Sequence, residues 1–113
     1  MKRGLVCCAA ALALSLCGIG LAAAAEGQRK PVTHTVTIDA TSFHPKTVTV
    51  AVGDSIVWVN KDILVHTVTA RGGSFDSHDI PAGRSWTYTA KAEGLSAYSC
   101  IYHTTMKGTL RVR

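Results

Sequence analysis

Cys100, His103 and Met106 stand near the end of the chain at the spacing Cys-x2-His-x2-Met, within Cys100-Ile101-Tyr102-His103-Thr104-Thr105-Met106. A thiolate and an imidazole bind copper strongly, whereas a thioether is a weak, soft donor that zinc, calcium and magnesium do not select. Cys-x2-His alone also occurs in zinc sites. The methionine at the third corner moves the expected metal from zinc to copper. A cysteine and two histidines in a trigonal arrangement, with a distant methionine, suit one-electron chemistry at copper. The chain must then supply a second histidine and a scaffold stiff enough to present it.

Cysteine usage supports a ligand role. Cys7, Cys8 and Cys17 all fall in an N-terminal stretch that reads as a leader: Met1-Lys2-Arg3 is a positive start, Leu5 to Leu21 is apolar, and Ala22-Ala23-Ala24-Ala25 offers small residues. Residues 1–25 are therefore expected to be a cleaved secretory signal peptide. The apolar run is too short for a convincing membrane span. Lipid attachment at Cys17 is disfavoured by the bulky Leu16 before it. Residues 26–113 then form one small domain whose single cysteine is Cys100 and whose single methionine is Met106. In an oxidising compartment, here the periplasm, a lone thiol needs a reason to exist, and metal ligation is one. Loss of Lys2 and Arg3 lowers the formal charge from +5 to about +3, dispersed and without basic runs, which argues against a nucleic-acid partner.

The elements that must position the donors read as β. Val32, His34, Val36 and Ile38 alternate with polar residues, and Val48, Val50 and Val52 repeat that period of two. Gly53-Asp54 is a turn signal. Further strands are expected over Ile56–Asn60, Val65–Ala70, Ser85–Thr89, Leu95–Cys100 and Thr109–Val112, with a long loop from Arg71 through Gly83. Seven short strands without helical periodicity predict an all-β, two-sheet antiparallel sandwich. Trp58, Trp86, Tyr88 and Tyr98 are expected in or against its core. His66, early in the Val65–Ala70 strand, is the candidate second imidazole. His34, His44 and His78 read as structural or solvent-facing side chains, and Asp76 and Asp79 as loop-solvating charges.

The whole pattern is Trp58-x-Asn60, His66, then Tyr98-x-Cys100-x2-His103-x2-Met106-x-Gly108-x-Leu110-x-Val112. It resembles the cupredoxins of the plastocyanin, pseudoazurin and amicyanin group. Two residues between His103 and Met106 resemble the short ligand loop of amicyanins. The resemblance implies a Greek-key sandwich of seven to eight strands, one type 1 copper ion and one-electron transfer. It implies His66, Cys100 and His103 as strong ligands, Met106 as the weak axial ligand, and Asn60 as an outer-shell residue tying the His66 loop to the Cys100 loop. Four protein ligands leave no open coordination position, which argues against an enzyme.

Three positions depart from the relatives. Ile101 replaces a usual small hydroxyl residue, and Tyr102 and Thr104 replace prolines. Losing the prolines removes restraint from the ligand loop and frees backbone N–H groups that could reach the sulfur. Ile63, Leu64 and Val65, with Tyr102, are candidates for a dry docking patch beside His103. The amicyanin-like loop implies redox protein partners for a monomer, with an amine-oxidising dehydrogenase as donor and a c-type cytochrome as acceptor. A copper carrier or storage protein is the second reading.

Overall fold

Strands β1 (Thr33–Asp39), β2 (Ser42–His44), β3 (Thr47–Val50), β4 (Ser55–Asn60), β5 (Thr69–Ala70), β6 (Ser85–Thr89), β7 (Gly94–Ser99) and β8 (Lys107–Val112) make up the computed structural model, which describes residues 29–113. The proposed leader lies outside the described residues. Two four-stranded sheets face each other, in the orders β2-β1-β4-β6 and β3-β8-β7-β5. The alternation explains the layering: Val36 and Ile38 of β1, Ile56 and Trp58 of β4, and Leu110 and Val112 of β8 all turn into the space between the sheets. Burying each such side chain contributes about 1.5–3 kcal/mol relative to exposure. Among the described residues no helix is long and apolar enough to cross a membrane.

The sandwich departs from the antiparallel expectation in two pairings. β1 runs parallel to β4, with Thr33 opposite Ser55 and Ile38 opposite Asn60. β3 runs parallel to β8, with Val48 opposite Leu110. Chain entry explains this: β2 and β3 intervene between β1 and β4, so β4 is not constrained to return as a hairpin. The strand expected over Val65–Ala70 is shortened to Thr69–Ala70. His66, Thr67 and Val68 are buried in succession, which breaks the period of two. Their backbone groups turn elsewhere, His66 exchanging both hydrogen bonds with Ile80.

The layer beneath the candidate site is aromatic. Trp58 meets Tyr98 edge-on with ring centroids 5.6 Å apart, and Phe43 meets Tyr98 edge-on at 4.8 Å. Trp86 and Tyr88 are partly buried against this core. Tyr98 pairs across the sheet with Gly108. A Cβ at position 108 would run into the Tyr98 phenol, so glycine is needed for that ring to lie flat on β8. Two residues further along the same face, the chain delivers Cys100.

The opposite end of β4 is held by a buried carboxylate. Asp54 accepts from the backbone N–H groups of Val32 and Ala51 and pairs with His34 at 2.9 Å and with Arg29. The Val32 N–H, more than the His34 contact, holds its carboxyl well below the usual aspartate range. A folded-state value below the unfolded one means this stabilisation is present above the ordinary aspartate pKa and is lost as pH falls through the depressed value. His34 thus has a structural role, as expected from its place in β1.

Candidate metal centre

Antiparallel pairing of β7 with both β5 and β8 assembles the donor set. The register Thr69 opposite Ser99 carries the His66–Val68 segment beside Cys100, which follows β7 directly. The connection to β8 then folds over the same spot. Its ends are tied by Cys100 N–H donating to the Met106 carbonyl (3.2 Å) and Met106 N–H donating to the His103 carbonyl (2.9 Å).

One nitrogen each from His66 and His103 and the Cys100 sulfur all lie within 4.8 Å of one another. Cys100 Sγ is 3.8 Å from His66 Nδ1 and 3.7 Å from His103 Nδ1. A metal–nitrogen bond of about 2.0 Å and a metal–sulfur bond of about 2.3 Å, opened to 120°, would put nitrogen and sulfur roughly 3.7 Å apart. The three donors therefore already have the separations of ligands around one ion. His66, Cys100 and Met106 are buried, and His103 is half-buried. A thiol and two imidazoles within reach of one ion, with the buried Met106 thioether in the loop that carries Cys100 and His103, make a soft donor set that fits copper.

Ordinary residues fix these donors. Asp62 Oδ2 lies 2.9 Å from His66 Nε2, and the same oxygen accepts the Thr41 N–H at 3.0 Å. The Thr41 N–H first, and His66 second, hold the Asp62 carboxyl below the usual aspartate range. Thr67 is the link between the two halves of the site. Its N–H points at Cys100 Sγ from 3.3 Å, and its hydroxyl accepts the Ile101 N–H at 3.1 Å.

That arrangement corrects two expectations. Asn60 does not join the His66 loop to the Cys100 loop: its amide donates to the carbonyls of Leu64 (2.8 Å) and Ile80 (2.9 Å) and its oxygen accepts the Asp62 N–H. It braces the loop that carries Asp62 and His66, while Thr67 makes the connection to Cys100. The N–H that reaches the sulfur comes from Thr67 and not from a position freed by a missing proline. Ile101 spends its N–H on Thr67, and Tyr102 restrains the loop through its side chain, its hydroxyl donating to Asp79 at 2.6 Å. That hydrogen bond, ahead of partial desolvation, raises the Tyr102 phenol above its ordinary pKa.

Neither Asp62 nor Thr67 stands out in the sequence. The available signal was the offset Asp62 to His66, four residues within one loop, which brings a carboxylate back onto a ring nitrogen. His34, His44 and His78 stay out of the cluster. His44 contacts the Asp39 carbonyl at 3.3 Å, and the exposed His78 lies 3.8 Å from Asp76. Exposed apolar side chains stand in both ligand-bearing segments: Ile101 (58% exposed) and Tyr102 (52%) directly precede His103, and Ile63 (90%), Leu64 and Val65 directly precede His66, whose ring centroid is 4.9 Å from that of His103.

The fold recurs in solved structures. A methionine-to-alanine variant of amicyanin in its Cu(I) form is 21% identical over 72% of this chain and 82% of its own, with a TM-score of 0.68. A purple cupredoxin from Nitrosopumilus maritimus is 21% identical, covering 71% of this chain and 99% of its own, with a TM-score of 0.65. A copper-containing nitrite reductase from Thermus scotoductus SA-01 is 26% identical over 75% of this chain but only 23% of its own, with a TM-score of 0.69. No curated protein sequence matches at a significant level. Residues 30–113 match the family described as copper binding proteins, plastocyanin/azurin family. With a thiol and two imidazoles drawn together at the end of an eight-stranded sandwich, the chain belongs to that family, the cupredoxins, and its cofactor is one copper ion.

Proposed function

We propose that this cupredoxin is an exported, periplasmic one-electron carrier and not an enzyme, with His66, Cys100 and His103 as the strong ligands of its copper and Met106 as the weak axial one. The observation that carries the reading is a buried donor set whose half-buried member, His103, follows the exposed Ile101 and Tyr102 and has its ring 4.9 Å from that of His66, which the exposed run Ile63, Leu64, Val65 precedes. When bound, the copper supplies a Cu(II)/Cu(I) couple. The chain's own part is to hold the donors still through that change. Asp62 fixes His66, Thr67 braces Cys100, and the short loop from Cys100 to Met106 is closed by its own backbone. Electrons enter and leave at the His103 edge, where Ile63, Leu64, Val65, Ile101 and Tyr102 exclude water against a partner. The proposed partners are redox proteins, an amine-oxidising dehydrogenase as donor and a c-type cytochrome as acceptor, with the carrier acting as a monomer.

The docking surface has a direct test. Leu64→Glu is expected to slow bimolecular electron transfer to a c-type cytochrome by about tenfold or more. A charge desolvated without a partner costs on the order of several kcal/mol, and 1.4 kcal/mol is tenfold. Thr87→Glu, on the exposed face of β6 and outside the loops of the site, should change the rate little at matched ionic strength. Equal slowing in both variants would place docking under general electrostatics instead. A wild-type protein that exchanges no electrons but hands copper to an acceptor apo-protein would be a copper carrier.

A further inference from the structure

His66 uses its two ring nitrogens differently. Nδ1 faces the Cys100 sulfur, and Nε2 is held by the Asp62 carboxylate at 2.9 Å. His66 has no solvent-exposed side-chain surface and Asp62 is 13% exposed, so water screens the contact weakly. Asp62 is itself gripped from three sides. Its Oδ2 accepts the Thr41 N–H, its Oδ1 accepts the Ile63 N–H at 2.8 Å, and its own N–H donates to Asn60. Thr41 belongs to the two-residue β1–β2 turn, where Ala40 (φ 48°) and Thr41 (φ 53°) both lie in the left-handed region. That conformation is costly for a β-branched residue, and the turn uses neither asparagine nor glycine. What it achieves here is to aim the Thr41 N–H at Asp62. Strain held beside a site is a reason to ask what it positions.

We propose that Asp62 is a positioning residue that sets the reduction potential of the centre, its carboxylate holding the His66 ring with Nε2 protonated and Nδ1 free for the metal, and favouring Cu(II) over Cu(I). This rests on the copper reading above. Two physical effects act in the same direction. A carboxylate on the far nitrogen raises the basicity of the coordinating one. A fixed negative charge behind that ligand stabilises the more highly charged metal state. The one-electron balance is simple: Cu(II) gains one electron from an external reductant to give Cu(I), and no proton need leave the Asp62–His66 pair.

Asp62→Asn removes the charge while its amide oxygen, in the place of Oδ2, can still accept from His66 Nε2 and the Thr41 N–H; the contact given up is the one with the Ile63 N–H. The variant is expected to fold and keep the visible copper band, while the preference for Cu(II) over Cu(I) falls about tenfold, a rise of about 59 mV in potential. Asp62→Glu, which restores the charge, should return the potential towards wild type wherever the longer side chain regains the contact. A second readout needs no metal. Nitrogen chemical shifts of His66 in the apo-protein should show Nε2 protonated and Nδ1 bare. An unchanged potential in Asp62→Asn, or a His66 ring protonated on Nδ1 in the apo-protein, would overturn the proposal. Failure of wild type to form a coloured copper centre would instead overturn the copper reading on which it rests.

Discussion

Replacing Cys100 by serine is expected to abolish the intense visible absorption of the copper-loaded protein while leaving the β domain folded. Thiolate-to-copper charge transfer is the source of such a band, and a serine hydroxyl cannot replace it. Cys100 is the single cysteine described and is free and buried. Metal binding would hold it as the thiolate. Stability rests mainly elsewhere, on the Trp58–Tyr98–Phe43 layer and the apolar faces of β1, β4 and β8. A buried hydroxyl there meets the Thr67 N–H that the sulfur now receives, so the cost should stay within about 1–3 kcal/mol. Circular dichroism and a thermal melt of the apo-variant report the fold, and visible absorption after Cu(II) addition reports the site. A retained band would remove Cys100 from the ligand set.

The second large effect separates His103 from Met106. His103→Gly should create an opening in the donor set that added imidazole fills, with the visible spectrum changing on addition. The half-buried His103 lies in a loop at the surface, so a small molecule has access to the position it leaves. Met106→Leu conserves volume in a buried place, so the domain should lose under about 1.5 kcal/mol. Its copper should stay bound with a raised potential, since the axial donor tunes the couple more than it holds the metal. Titration with copper, then voltammetry of each variant, measures both. Equal loss of copper affinity would contradict a division into strong and weak ligands.

Much of this centre was legible in the sequence because its chemistry depends on rare residue types at tight spacing. Cys100, His103 and Met106 lie within one short loop, and the chain offers few other soft donors. His66 was legible as a candidate, but its place was not. Val65 to Ala70 reads as alternating, yet three consecutive buried residues turn the segment into a bridge to Ile80. The short β2 was missed because only Phe43 of its three residues is buried, too little to show a period. Parallel pairing of β1 with β4 and of β3 with β8 leaves no trace in the alternation, which is the same for either direction. The residues that hold the ligands were the least legible. Asp62, Thr67 and Asn60 act through hydrogen bonds to backbone and ring nitrogens, and such bonds have no fixed spacing. Asn60 was expected to tie the His66 loop to the Cys100 loop, but its partners, Leu64 and Ile80, are set by the turn of its own loop.

Titration of residues 26–113 with Cu(II), followed by visible absorption, tests the central claim most directly. An intense thiolate-to-copper band that saturates at one copper per chain and bleaches reversibly with a one-electron reductant is the expected result. Copper that binds without that band, or saturation at any ratio other than one, would contradict a centre built from His66, Cys100, His103 and Met106.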